Sequence, residues 1–129
     1  MITNKIDRIL IIAVLFLSLS CGTSKISGTL DSREVVKLMV ENPQKAKRSY
    51  DEQVVTIKGH ISETYKNKQG AIVIVLGYKR DADGLVCTLK KNQQFLVPLR
   101  QNQSIEIKGY SIFADGKVQI INGIILNMN

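Results

Sequence analysis

The sequence has few of the residues from which metal centres and acid–base sites are built. Its 129 residues include one histidine, His60, and two cysteines, Cys21 and Cys87. Zinc sites and acid–base pairs need several converging groups, so His60, on the polar face of a predicted strand, is interpreted as a solvent-exposed residue. The sequence also contains no glycine-rich phosphate loop and no serine nucleophile elbow. These absences favour a protein that is not an enzyme, and they predict no cofactor and no metal site.

Long apolar runs are also scarce. Ile9 to Leu19 follows Lys5 and Arg8 and is shorter than the ~20 residues that a membrane-spanning helix needs. A positively charged N-terminal segment, followed by a short apolar stretch and then by small residues, is typical of an export signal. The alternative is an ordinary secretory signal followed by a chance cysteine at position 21.

The end of this signal, Leu17-Ser18-Leu19-Ser20-Cys21, looks like the lipobox of a bacterial lipoprotein. The resemblance implies a lipid on Cys21, with incorporation of palmitate. It also implies a domain held at a membrane of the bacterial cell envelope, outside the cytoplasm. We therefore predict a signal peptide over 1–20, a tether over 21–29 and a folded domain over 30–129.

Cys87 then has no cysteine partner within the chain. Leu85, Cys87 and Leu89 alternate with Val86 and Thr88, which predicts a strand with the cysteine facing inward. A buried free cysteine behaves as a small hydrophobic residue. We expect a thiol that is neither paired nor reactive.

Two helices are predicted before the other strands. Asp31 is placed as an N-cap, and Glu34 stands three residues later, as in a capping box. Pro43 opens a second helix with Asn42 as its cap; this helix must dock on the rest of the fold because two turns are marginal alone. The apolar face of the first helix is predicted from residues at helical spacing: Val35, Val36, Met39 and Val40.

From Val54 onward the pattern predicts strands. Val54 to Ile61 alternates apolar and polar residues, and Gly59 lies on its inward face. A missing side chain there lets a strand bend, so this strand is expected to pair along both edges and begin a small barrel. The four later strands are predicted at Ala71–Leu76, with both faces covered, and at Leu85–Leu89, Ile105–Gly109 and Val118–Leu126.

Turn residues separate these strands. Asp83-Gly84 and Asp115-Gly116 are suited to positive φ, and Asn102 tolerates the same region. Asn122-Gly123 is interpreted as a bulge, because Asp115-Gly116 already supplies the last hairpin.

Five short strands with a bent first strand and a longer link between the third and fourth describe an OB-fold. Further motifs are Asn42, Ala46, Tyr50, the hydrophobic–Lys–Gly patterns at Val55–Gly59 and Ile105–Gly109, and Asn122. Through these motifs, over roughly residues 34–126, the chain also resembles the tRNA-anti-like family of OB-fold proteins, many of them small exported bacterial lipoproteins. The resemblance implies a mainly β fold, a five-stranded OB-fold barrel preceded by an N-terminal helix, and the family name does not by itself imply tRNA binding. That family often has a second cysteine in the last strand, where this chain has Gly123.

The expected function is a membrane-anchored, non-enzymatic binding module whose ligand is a protein, peptide or glycan of the envelope. The alternative is binding of single-stranded nucleic acid. The net charge of +7 suits anionic lipid head groups or phosphates, although solvation explains it nearly as well. Nucleic acid is the less favoured ligand, because the predicted second and third strands offer no aromatic residue for base stacking. Ligand contacts are predicted where aromatic and basic residues flank these strands: Tyr65, Lys66, Lys68, Tyr78, Lys79 and Arg80.

Overall fold

The computed structural model describes residues 28–77, 84–91, 93 and 98–129. Strands β2 to β6 close into a barrel in the order β2-β3-β4-β6-β5, and β5 pairs back with β2. A closed, mainly β barrel with two short helices confirms the predicted OB-fold. The elements are β1 Thr29–Asp31, α1 Ser32–Glu41, α2 Pro43–Tyr50, β2 Gln53–Lys66, β3 Ile72–Leu76, β4 Leu85–Leu89, β5 Ser104–Ala114 and β6 Lys117–Met128.

The long strand β2 is shared between two neighbours, as the alternating pattern predicted. Its residues from Gln53 to His60 pair with β5, and those from Ile61 onward pair with β3. The register shifts between Ile61 and Glu63, so the chain bulges at Ser62, whose Oγ donates to the Val75 carbonyl oxygen at 3.0 Å. The predicted bend at Gly59 is therefore placed three residues too early.

Gly59 is needed for a different reason. A Cβ at this position would overlap Oγ of Ser32 and lie 3.1 Å from its Cβ and 3.3 Å from Cβ of Leu76. Ser32 is the first residue of α1 and is buried. The missing side chain lets the helix approach the strand, which a sequence pattern cannot reveal.

The strand β1 was not predicted. Thr29, Leu30 and Asp31 pair in parallel with Thr56, Ile57 and Lys58 on β2. Thr29, assigned from the sequence to the tether, therefore belongs to the sheet. Cys21 and the predicted signal peptide lie outside the described residues.

The two helices cover one end of the barrel. Val35, Met39 and Ala46 belong to the same buried cluster as the inward residues of the strands, and Ala46 is 0% exposed, which confirms that the second helix docks. Met39 also accepts a hydrogen bond at its Sδ from the Val118 N–H at 2.9 Å. No helix within the described part of the chain is long and apolar enough to cross a bilayer.

Val40 is a correction to the predicted helix face, because its side chain is 66% exposed. The buried residues of α1 are Ser32, Val35 and Met39. Residues along a helix are ~100° apart, so Val40 falls to the side of a narrow buried stripe.

The turn predictions are confirmed at three places. Asp115 and Gly116 both have positive φ, as do Asn102 and Asn122, and the register of β5 and β6 shifts opposite Asn122, as a bulge requires. The turn predicted at Asp83-Gly84 includes Asp83, which lies outside the described residues. A Cβ on Gly84 would lie 2.8 Å from the Leu76 carbonyl oxygen, so this glycine permits close packing.

Candidate functional site

Three of the predicted ligand residues, Tyr65, Lys66 and Lys68, lie among the described residues. Tyr65, near the end of β2, is 47% exposed. Lys66, the next residue, lines a surface depression together with Tyr65, and Lys68 is exposed in the next turn. Tyr78, Lys79 and Arg80 lie outside the described residues, as does Cys21.

Tyr65 borders a cleft on the outer side of the barrel. The register aligns Glu63 with Val75, Val75 with Val86 and Val86 with Gln119. This row crosses β2, β3, β4 and β6. Helix α1 and the β5–β6 hairpin lie on either side of this row and bound a cleft, which we call the strand-face cleft. It encloses about 270 Å³ and is lined by Met39, Val40, Glu63, Tyr65, Val75, Gly84, Val86, Gly116, Lys117, Val118 and Gln119.

The cleft is apolar at its base and carries few charges. Val75 is 9% exposed and Val86 is half-buried, whereas Val40 and Tyr65 present apolar surface at the rim. Its ionisable side chains of opposite charge are Glu63 and Lys117. Such a site can hold apolar side chains and orient a ligand through a few polar contacts.

Of the residues that line this cleft, sequence reasoning predicted only Tyr65 as a ligand contact; those it missed include Val40, Glu63, Val86 and Gln119. Val86 could have been found, because its alternation with Leu85 and Cys87 already placed it outside the barrel. Glu63 could not, because the bulge at Ser62 changes the phase of β2 just before it.

A second depression lies where β2, β3 and β4 meet the loops. This basic end cavity has a volume of about 330 Å³ and is lined by Lys66, Gln69, Gly70, Ala71, Ile72, Leu89, Lys90, Lys91 and Gln93. Three of these residues are lysines, and Lys66 precedes the adjacent Lys90 and Lys91 by 24 or more positions in the sequence. The fold therefore brings Lys66 together with Lys90 and Lys91.

Two polar side chains shape the loops around the basic end cavity. Asn67 Oδ1 accepts hydrogen bonds from the N–H groups of Gln69 and Ala71 at 3.0 and 2.9 Å. The Gln93 side chain donates to the carbonyl oxygens of Gly123 and Lys90 and accepts from the Ile125 N–H at 3.2 Å. Gln93 thus occupies hydrogen-bonding positions on β6 beyond the end of β4.

His60 is exposed, as predicted. It lies beside the start of α1, in a depression that also includes Lys58 and Arg33. The helix N-terminus there is already capped by Asp31, which accepts from the Arg33 N–H at 2.9 Å. The bond from the Arg33 guanidinium holds the pKa of the Asp31 carboxyl below its ordinary value.

Cys87 is buried and free, which confirms the sequence prediction. Its Sγ lies 3.8 Å from the Leu85 carbonyl oxygen, and burial raises the pKa of the thiol far above its ordinary range. A thiolate is the reactive form of cysteine, so this residue is structural. Among the described residues, no group of three or more histidine, cysteine, aspartate or glutamate side chains could hold a metal ion.

Comparisons with known proteins agree with this architecture. The family model described as tRNA_anti-like matches residues 7–125. Among solved structures, 12 chains match. One is a lipoprotein from Klebsiella pneumoniae subsp. pneumoniae MGH 78578, whose name ascribes nucleic-acid binding to it. It superposes with a TM-score of 0.61 and 14% identity over 84% of this chain and 96% of that chain. No curated protein matches the sequence.

Proposed function

The chain belongs to the tRNA_anti-like family of OB-fold proteins, and from this premise we propose that it is a lipid-anchored, non-enzymatic binding module of the bacterial cell envelope. Its ligand is a peptide segment, presented by an envelope protein, that lies in the strand-face cleft. Fold alone does not determine a ligand, so the proposal depends on the surface of this cleft.

The observation that carries the proposal is the composition of the cleft. Val40, Val75 and Val86 offer aliphatic contacts, and Tyr65 is the one aromatic side chain among the described residues of the lining. Proteins that bind single-stranded nucleic acid combine a basic groove with several stacking aromatics. Glu63 would repel a phosphate backbone here, whereas it can accept hydrogen bonds from a peptide or pair with a basic side chain.

Selection of peptides from a random library on the purified protein tests this ligand class. We expect the selected peptides to share apolar side chains, and Val40→Asp to weaken their binding about tenfold, equivalent to ~1.4 kcal/mol. The matched control is Gln44→Asp, which adds the same charge on an exposed position of α2. Peptides that bind both variants equally well would place the ligand elsewhere.

Single-stranded nucleic acid remains a second candidate because of the basic end cavity. Lys66, Lys90 and Lys91 surround it, and the similar lipoprotein of known structure carries a name that refers to nucleic-acid binding. Anisotropy titration of a labelled oligothymidine at several salt concentrations separates the two ligands. Nucleic acid would be favoured if the logarithm of the binding constant falls linearly with the logarithm of the salt concentration, with a slope of about −0.7 per neutralised phosphate. Lys90→Gln should then weaken this binding. Binding absent at physiological salt would favour the peptide.

The lipid anchor is supported by the signal pattern that ends at Cys21. Cys21→Ser should leave the precursor uncleaved and without incorporated palmitate. Cys87→Ala is the control and should be labelled like the wild type, because the buried thiol is no substrate for acylation. Normal palmitate labelling of Cys21→Ser would refute the anchor.

A further inference from the structure

A second outer face of the barrel, formed by β2, β5 and β6, carries more exposed apolar side chains than is usual for a sheet face in contact with water. Val54 is 59% exposed, Tyr110 36%, Ile124 44% and Leu126 52%. Val54 pairs with Tyr110, and Tyr110 pairs with Ile121, so the first two and the half-buried Ile121 form one row. Sheets that face water on one side normally carry polar residues at such positions. We call these five residues the apolar strand face.

The chain enters the fold at the edge of this face. Thr29 pairs with Thr56, Thr56 with Lys108, and Lys108 with Ile124. These four residues form a row across β1, β2, β5 and β6. With neighbouring strands ~4.8 Å apart, Thr29 lies roughly 15 Å from Ile124. Any tether attached before Gly28 therefore leaves from beside the apolar strand face.

Lysine side chains lie in the rows that cross the face. Lys108 lies between Thr56 and Ile124, and Lys58 lies one row further along, between Asp31 and Glu106. Both carboxylates of that row have partners: Asp31 forms an ion pair with Arg33 at 2.8 Å, and Glu106 accepts a hydrogen bond from the Thr29 hydroxyl at 3.4 Å. Exposed aliphatic side chains with tyrosine and lysine are typical of surfaces that lie at the lipid head groups.

From these observations we propose that the apolar strand face docks on the bilayer to which the chain is tethered. The inference rests on the proposed lipid anchor at Cys21. Gly28 follows Cys21 by seven positions, which allows at most ~25 Å of extended chain. The domain is then held flat against the membrane, with Lys108 among anionic head groups, and the strand-face cleft, whose row runs across β2, β3, β4 and β6, remains open to its ligand.

The test uses the lipidated protein in phosphatidylglycerol vesicles, with an environment-sensitive fluorophore on a cysteine introduced by Ile124→Cys. Glu63→Cys, at an exposed position in the row of the strand-face cleft, is the reference position, and Cys87 is buried and should not take up the label. We expect the fluorophore at 124 to shift to the blue, to be quenched by spin-labelled lipid and to escape iodide. The fluorophore at 63 should remain open to iodide.

Two variants of the face and one control variant test whether the spectral shift depends on the apolar strand face. Leu126→Asp should abolish the shift at 124, whereas Gln44→Asp on α2 should leave it unchanged. Lys108→Gln should weaken the shift in anionic vesicles more than in neutral phosphatidylcholine vesicles. Far-UV circular dichroism of each variant checks that the barrel has folded.

The outcomes separate this inference from the anchor itself. If palmitate labels Cys21 but positions 124 and 63 are equally open to iodide, the face does not dock and the anchor stands. If palmitate does not label Cys21, the anchor fails and the docking inference falls with it. Protection at 124 that persists in detergent, together with cross-linking between copies, would mean that a second copy covers the face, which also overturns the inference.

Discussion

At the scale of single residues, Gly59 shows how a correct observation can have the wrong cause. The sequence placed it on the inward face of a bent strand, and the bend was attributed to the missing side chain. In the structure the strand bulges at Ser62, and Gly59 makes room for Ser32 at the start of α1. The glycine therefore belongs to a helix–strand contact.

Gly59→Val should destabilise the fold by about 1–3 kcal/mol, the usual range for overpacking. Lys58→Ala, one residue away and exposed, should change the free energy of unfolding by no more than ~0.5 kcal/mol. Urea denaturation measures both values. Equal stability of the two variants would contradict the close contact.

A double-mutant cycle can separate the two causes. If Ser32 is the obstacle, the cost of Gly59→Ala should be smaller in a Ser32→Gly background, because the overlapping side chain has been removed. If Gly59→Ala lowers the free energy of unfolding by the same amount in both backgrounds, Ser32 is not the obstacle and the glycine is needed for the bend of the strand.

Cys87 gives a second test at this scale. Because the side chain is fully buried and its thiol pKa is raised, a bulky maleimide should not modify it in the native protein. Denatured protein should be modified at Cys87 without prior reduction. Mass spectrometry measures both, and rapid native labelling would contradict the inward phase of β4.

At the scale of elements, the caps and turns follow rules that act over a few residues. Asn42 caps α2 by accepting from the Lys45 N–H at 3.1 Å, and Asp115-Gly116 forms the predicted tight hairpin. The N-cap of α1 depends on more than its near neighbours, because Asp31 is also the last residue of β1, which pairs with β2. Asp31 forms an ion pair with Arg33 at 2.8 Å as well. The start of this helix is thus joined to the sheet.

The charge of Asp31 should make the stability of this junction depend on pH. Its folded-state pKa lies below the ordinary value of 3.8, chiefly through the Arg33 hydrogen bond. The interaction therefore stabilises the fold above that value and is lost as pH falls through the folded-state pKa. Asp31→Asn, which retains a capping oxygen, should be less stable than wild type at pH 7 and equally stable near pH 2.

The cap itself can be removed with Asp31→Ala, which should cost about 0.5–2 kcal/mol at neutral pH. Thermal denaturation across the pH range measures these differences. Arg33→Gln should abolish most of the pH dependence that separates wild type from Asp31→Asn. If the difference in stability between wild type and Asp31→Asn is constant from pH 2 to 7, the charge of Asp31 does not contribute to the stability of the fold.

At the scale of the whole molecule, the helices and the barrel share one core. Met39 is buried with residues of the barrel and contacts Val118 on β6 through its sulfur. Met39→Ala should therefore cost about 2–5 kcal/mol, as for other large-to-small core changes. The exposed neighbour Val40→Ala should cost no more than ~0.5 kcal/mol.

Hydrogen exchange of the amides distinguishes a shared core from two independent parts. If helices and barrel unfold together, Met39→Ala should lower protection in α1 and in β6 by the same free energy. Loss of protection confined to the helices would show that they unfold separately.

The sequence by itself determined the elements that depend on near neighbours. The phases of most strands, both helix starts, the last hairpin, the bulge at Asn122 and the inward position of Cys87 follow from side-chain period and turn chemistry. The closed barrel was predicted from the five-strand pattern with its bent first strand, and the family resemblance implied the same fold. The candidate ligand residues were predicted only in part, with Tyr65 at the strand-face cleft and Lys66 at the basic end cavity.

Tertiary structure decided what depends on distant partners. It placed β1 on β2, shifted the bulge to Ser62, turned Val40 towards solvent and aligned Glu63 with Val75, Val86 and Gln119 across four strands. Local preferences act over a few residues, whereas closing a barrel selects pairs that are tens of residues apart. The surfaces that face a ligand or a membrane are products of that closure, so they exist only once the chain has folded.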